Sequence, residues 1–477
     1  MRHDLAALPV LDLAAAIASG DLRAVEALEA FEARARSANE ATRAVVHWQG
    51  QAAREAAAAM DAAPTSAALP LRGVPFTVKE ALPLTGAPHT SGSVYRRHVV
   101  AGADMSAVAN LRRAGAVPFA STNMSEMGAQ WESVNTVYGR SHNPHDLSRT
   151  PGGSSGGCGA LVAVGGTGFS VGADTGGSIR IPAAFCGVFG HKGTRLAVDI
   201  DGHVPPLHGN LAGYCSIGPL TRRAADLWPL FQIMAGVLPH ELAPRDAAAA
   251  VEGCRVLLVE GLARPASRAS RECVAAVARA GDALSAAGGE TRWVPPRRLG
   301  NAFMMWTSLA KADGSADFAN EVTDGDPARL SLRRQLLASA RGRGDHTSWS
   351  MVTLLSERYL EPLLRPAYPR YVRAVDAVRG WLLEALGERG VLVMPVHPRV
   401  AFRHGGTHRR PLDFAYAGLF NALGFPATAV PAGRDRAGLP LSVQVVGAPG
   451  ADALTTAVAE VLEPALGGWV RPRRFTH

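Results

Sequence analysis

Residues 151–178 read PGGSSGGCGALVAVGGTGFSVGADTGGS, a stretch in which three glycine-rich clusters carry serines. So much glycine exceeds what a plain helix or strand can use, and it means that something approaches this backbone closely. A phosphate cradle needs Gly-Lys-Ser/Thr at its end, and none is present. Gly152, Ser154 and Gly156 satisfy G-x-S-x-G, which would make Ser154 the nucleophile of a Ser-His-Asp hydrolase. That serine belongs between a strand and a helix, whereas Ser154 follows the polar, turn-like NPHDLSRTP. A third reading takes a wider constellation: VPFTVK ending in Lys79, GGSSGG with Ser154, and DTGGSIRIPAAFCGVFGHK with Ser178.

The lysine in that constellation is informative. Only three of the 49 basic residues are lysines, Lys79, Lys192 and Lys311. Arginine cannot deprotonate in a protein and lysine can, so each is a candidate for a role that needs a neutral amine or a compact ammonium. A serine hydroxyl is a poor nucleophile until a base removes its proton, and a lysine serves if its pKa falls from about 10.4 towards roughly 7–8. The apolar VPFTV before Lys79 predicts a buried strand end, where desolvation disfavours the ammonium.

The same residues resemble the amidase signature family, marked by a Gly/Ser-rich segment joining two serine clusters with a lysine upstream on a strand. The similarity runs from the N-terminal helices through STNMSEMGAQWESVNTVYGRSHNPHDLSRTPGGSSGG to FNALGFPATAVP and GLPLSVQVVG. VPFTVKEALPLTGAPHTSG and LGGWVRPRRF are similar to the branch containing fatty-acid amide hydrolases and their soluble bacterial relatives. The resemblance implies that Lys79 is the base, Ser154 a proton relay preceded by a cis peptide, and Ser178 the nucleophile. The amides of Thr175, Gly176, Gly177 and Ser178 would form an oxyanion hole. Ser155, Asp174 and Arg180 would support the loop, and Met127, Gly128 and Gln130 would line the acyl pocket with Trp131 close by. Lys192 is expected to be structural. Gly193 stands where the family usually has Pro, which puts only the local turn in question, and Glu80 where many relatives have Asp, a change expected to be tolerated.

These groups need a scaffold. VPFTVK is a short β-rich run, and SAVANLRRAGA followed by VPFAST predicts a helix and then a strand, the alternation of an α/β fold. VLLVEGL, the amphipathic SRECVAAVARAGDALSAAGG and the extended TRWVPP repeat it. The expected architecture is α/β, a central mixed sheet with helices on both faces, as one domain over residues 1–477. Within it, residues 1–65 form an N-terminal helical layer, 66–235 the catalytic core and 300–390 a helical, substrate-facing cap. Phe303, Met304, Met305 and Trp306 in that cap point either to a hydrophobic acyl group or to ordinary core packing.

Composition limits the rest. A 47% hydrophobic and 19% charged chain with no run of about eighteen apolar residues is globular and carries no integral membrane segment. Asp4, Pro9 and Asp12 break the first twenty residues, unlike a signal peptide, so a cytoplasmic protein is expected. The five widely spaced cysteines predict reduced, buried thiols. A net charge of +8 comes from scattered arginines rather than a basic block, which speaks against nucleic acid. The fifteen histidines form no metal-spaced pair, and no cofactor is called for. The expected function is hydrolysis of a small-molecule amide through an acyl-enzyme, with a homodimer compatible with the resemblance. The alternatives are a component of an aminoacyl-tRNA amidotransferase, the Ser154 elbow hydrolase and a non-enzymatic binding module.

Overall fold

The computed structural model describes residues 4–64, 69–237, 246–315 and 317–476. Thirteen strands are present among them: β1 (Val45–Trp48), β2 (Pro75–Lys79), β3 (Val117–Thr122), β4 (Val134–Asn135), β5 (Gly139–Arg140), β6 (Phe169–Asp174), β7 (Phe189–Lys192), β8 (Ser216–Thr221), β9 (Arg255–Leu258), β10 (Glu290–Trp293), β11 (Gly390–Pro395), β12 (Ala427–Arg434) and β13 (Pro440–Gly447). Eleven of them form one sheet in the order β1-β3-β2-β6-β8-β7-β12-β13-β11-β9-β10, and β4 and β5 form a small hairpin. The sheet is mixed. β2 runs parallel to both β3 and β6, and β9 runs parallel to both β10 and β11. The β6-β8-β7-β12-β13-β11 run between them is antiparallel.

Successive side chains of a strand point to opposite faces, and β11 shows what that requires here. Val391 and Val393 pack with Val256 and Val443 against the helices Arg271–Ala286 and Asp452–Leu466. Leu392 and Met394 face the other way, with Leu257 and Val446, towards the helices Ala302–Lys311, Tyr368–Leu386 and Ala415–Leu423. A strand covered on both faces reads as a continuous apolar run, and β2, β3, β6, β8 and β11 are buried at every position.

The N-terminal helices Val10–Ser19, Ala24–Thr42 and Gln51–Ala62 form where apolar spacing predicts them. Between the last two lies β1, the sheet's edge, an addition to the purely helical layer expected there. Its VVHW has the β-branched and aromatic character of a strand, but four residues are too short to stand out beside two long Ala-rich helices. The boundary expected at 65/66 lies outside the described residues. The described residues between 300 and 390 are mostly helical. Helices Ala302–Lys311 and Tyr368–Leu386 cover the sheet, while Ser348–Leu355 reaches the 126–131 loop, where the Trp349 indole donates to the Ala129 carbonyl at 2.9 Å. All five cysteines are buried and unbridged. No helix among the described residues is long and apolar enough to cross a membrane.

Candidate active site

The two parallel neighbours β2 and β6 end side by side, β2 in Lys79 and β6 in Asp174. In open α/β sheets the carboxyl ends of such strands are where ligands bind. The Lys79 ammonium lies 2.7 Å from Ser154 Oγ and also donates to the Ala173 carbonyl at 3.4 Å. Burial pulls Lys79 down from its ordinary 10.5 to about 8, against opposing contributions from Cys158, Cys215 and Asp174. It therefore holds a sizeable neutral fraction near neutral pH, which an exposed lysine does not.

Ser154 follows a cis peptide from Gly153 and is 1% exposed. Ser133 clamps this turn: its hydroxyl donates to the carbonyls of Gly152 and Ser154, both at 3.0 Å, and accepts from the Gly156 amide at 2.8 Å. What approaches the glycine-rich backbone is the protein itself. A Cβ on Gly153 would lie 2.8 Å from the Gln130 carbonyl oxygen and the Glu132 amide, and one on Gly157 would lie 2.5 Å from the Ala44 carbonyl oxygen. Ser154 is preceded by loop rather than strand and is followed by the helix Gly156–Ala163, an arrangement that differs from the nucleophile elbow.

Ser178 closes the loop after β6 and, unlike Lys79 and Ser154, is half-buried. Its carbonyl accepts from the Ser155 amide at 3.1 Å, and the Ser155 hydroxyl reaches the Ala173 carbonyl at 3.3 Å, so the two serine segments are bonded to each other. Beneath the loop, Asp174 and Arg180 form a fully buried pair at 3.0 Å. Burial alone would raise the Asp174 carboxyl, but the Arg180 guanidinium and hydrogen bonds from Arg180, Asn421 and Gly177 hold it well below the usual carboxylate range. The Asp174 carboxylate takes the Gly177 amide at 2.7 Å. Among the described residues the amides of Gly176 and Ser178 donate to no group.

The remaining expected residues separate. Gly128 sits beside Ser154, since a Cβ there would lie 3.7 Å from Ser154 Oγ. The Met127 side chain belongs to an apolar cluster with Val204, Phe318, Val322, Met351 and Leu354, and the Gln130 amide donates to the Val134 carbonyl at 3.3 Å. Met305 is core, whereas Trp306 packs edge-on to Phe414 at 5.1 Å, and Phe414 stacks on Trp131 at 4.6 Å. Lys192 is buried and donates to the carbonyls of Gly193 and Phe425 at 2.8 and 2.7 Å, as a structural residue does. Asn421 and Trp306 reach the site across 131 residues of sequence or more and Ser133 across 19 to 23, and the residue types alone signal none of these contacts.

The amidase family model matches residues 26–455. Human fatty-acid amide hydrolase 2 is 34% identical over the whole chain and 92% of its own length. A glutamyl-tRNA(Gln) amidotransferase subunit of Oleidesulfovibrio alaskensis is 32% identical over 96% of each chain. The solved structure of 6-aminohexanoate cyclic dimer hydrolase bound to its substrate superposes with a TM-score of 0.81 at 27% identity, covering 99% of this chain and all of that one. The chain belongs to the amidase family. It is a hydrolase of carboxylic amides, acting on the C–N bond.

Proposed function

We propose that Ser178 is the nucleophile, Ser154 the proton relay and Lys79 the base of this amidase, with the loop after β6 as its oxyanion hole. The observation that carries the reading is the 2.7 Å hydrogen bond between a buried, depressed lysine and a buried serine hydroxyl. Ser178 Oγ attacks the amide carbonyl while its proton passes to Ser154 Oγ, whose own proton goes to neutral Lys79. The carbonyl oxygen, now carrying negative charge, is stabilised by backbone amides; those of Gly176 and Ser178 are unengaged, whereas that of Gly177 already serves Asp174. The C–N bond then breaks as the relay returns the proton to the departing nitrogen. Water, activated in the same way, cleaves the Ser178 ester and releases the carboxylate.

The substrate in this reading has an apolar acyl part, because Trp306 and Phe414 lie against Gly176 and Trp131 stacks on Phe414. Residues 318–355, tied to the 126–131 loop, serve as the cap over it, and Met127, Gly128 and Gln130 form the wall on the Ser154 side. The enzyme works in the cytoplasm, where five unpaired thiols persist, and needs no nucleic acid; a homodimer is compatible with it. The amidotransferase relatives support a second reading, in which free glutamine is cleaved only with partner subunits present.

The test is fluorophosphonate labelling of the purified chain with peptide mapping. The reagent forms an Oγ–P bond and expels fluoride. Labelling confined to Ser178 and absent from Ser178→Ala is the expected result, whereas labelling at Ser154 makes the elbow reading correct.

A further inference from the structure

We infer that Trp306, on the helix Ala302–Lys311, is a positioning residue for the oxyanion loop, an inference that rests on the reading above. Its indole N–H donates to the Thr175 carbonyl at 3.1 Å across 131 residues of sequence. A peptide unit is planar and trans, so the Thr175 carbonyl and the Gly176 amide of the same unit point in opposite directions. Holding that oxygen with the indole therefore sets the direction of the unengaged Gly176 N–H. The preceding unit is held in the same manner, since Asn421 Nδ2 donates to the Asp174 carbonyl at 2.8 Å and so orients the Thr175 amide.

Trp306 is itself fixed. Its own carbonyl accepts from the Tyr214 hydroxyl at 2.9 Å, and the Tyr214 carbonyl accepts from Asn421 Nδ2, also at 2.9 Å. A closed circuit thus runs Trp306–Thr175–Asp174–Asn421–Tyr214–Trp306. The indole ring is held edge-on by Phe414 at 5.1 Å and tilted against Tyr214 at 5.5 Å. A backbone donor stabilises the transition-state charge only where it already points at the developing oxyanion, so the circuit supplies preorganisation from a helix that contributes no reacting group.

The experiment measures fluorophosphonate inactivation, resolved into the maximal rate kinact and the half-saturating concentration KI, for the full chain and for Trp306→Phe, which keeps a ring but loses the N–H. Phosphonylation places charge on the phosphoryl oxygen, so kinact reports the loop's donors, while KI reports packing of the reagent's tail. We expect kinact to fall about tenfold, less than the loss of a whole donor, with an unchanged pH midpoint, whatever the smaller ring does to KI. A poorly folding variant loses labelled amplitude rather than rate. Replacing Trp306 with 3-benzothienylalanine keeps the bicyclic ring, removes only the N–H and is expected to give the same drop. Wild-type kinact in both variants, or a rise in KI with kinact unchanged, overturns the inference and leaves Trp306 a packing residue. A wild-type chain that fails to label at Ser178 overturns the triad reading itself, and the inference with it.

Discussion

Lys79 and Lys192 are both fully buried, and burial depresses both, to about 8 and about 7. A lowered pKa therefore does not by itself favour Lys79 over Lys192 as the proposed base; the neighbour does. Lys79 faces a hydroxyl, which can exchange a proton with it, while Lys192 faces two carbonyl oxygens, which cannot. Lys311 differs from both. Burial would lower it, but Glu357 and Glu361 raise it, and it remains an ammonium. Labelling of Ser178 should slow about 10²–10⁴-fold in Lys79→Met. In Lys192→Met it should stay within about threefold, while urea unfolding loses about 1–3 kcal/mol from the carbonyls left unpaired. In the wild type the labelling rate should rise with pH and level off above a midpoint near 8, because only the neutral amine accepts a proton. The folded chain holds fewer protons on Lys79 than the unfolded chain between about pH 8 and 10.5, so this lysine's burial costs stability below pH 8. That cost is relieved as pH rises through the window, and Lys79→Met should lessen the slope of unfolding free energy against pH there, leaving the part that Lys192 contributes.

The loop after β6 is an element built around one carboxylate. Asp174 accepts from the amides of Gly177 and Ile179 and from Nε and Nη2 of the Arg180 guanidinium, and Arg180 continues to Gln444 and Asn421. All of this is fully buried, so a charge left without its partner cannot turn to water. Asp174→Asn should therefore cost about 3–5 kcal/mol in urea unfolding, with labelling of Ser178 falling as the loop loses its anchor. An Asp174→Asn protein as stable as wild type would show that the pair is dispensable to the loop. The glycine-rich elements make a related point. Their composition signalled a close approach, and the approaching groups are the protein's own backbone at Gln130–Glu132 and Ala44 rather than a ligand.

Across the whole molecule, residues 346–350 are fastened to the 126–131 loop through another buried carboxylate. Glu126 accepts from His346 Nδ1 at 2.7 Å, the Thr347 amide at 2.8 Å and the Ser350 hydroxyl at 2.8 Å, all more than 200 residues away in sequence. It immediately precedes Met127 and Gly128, so the same short turn carries the fastening and the glycine beside Ser154. Glu126→Ala removes the carboxylate that accepts from three donors at once, and opening of residues 318–355 should become easier. We expect trypsin to cut at the exposed Arg341 and Arg343 about tenfold faster, and KM for amide substrates to rise more than kcat falls. Unchanged proteolysis would mean that the apolar cluster around Met351 holds the region by itself.

Much of this was legible in order along the chain. The strand ending in Lys79, the α/β alternation and the paired serine clusters are local patterns, because strand burial, helix periodicity and glycine content are written within a few residues of one another. The rarity of lysine narrowed the base to three positions. The family resemblance pointed to Lys79 among them, and the tertiary structure supports that proposal by setting a hydroxyl against Lys79 and carbonyls against Lys192. It also brought Ser133, Asn421, Trp306 and Glu126 to the site through contacts between segments that share no local motif. Such contacts depend on how a twisted sheet and its covering helices pack in three dimensions, and a single polar side chain in an otherwise ordinary helix carries no sign of the carbonyl it will meet.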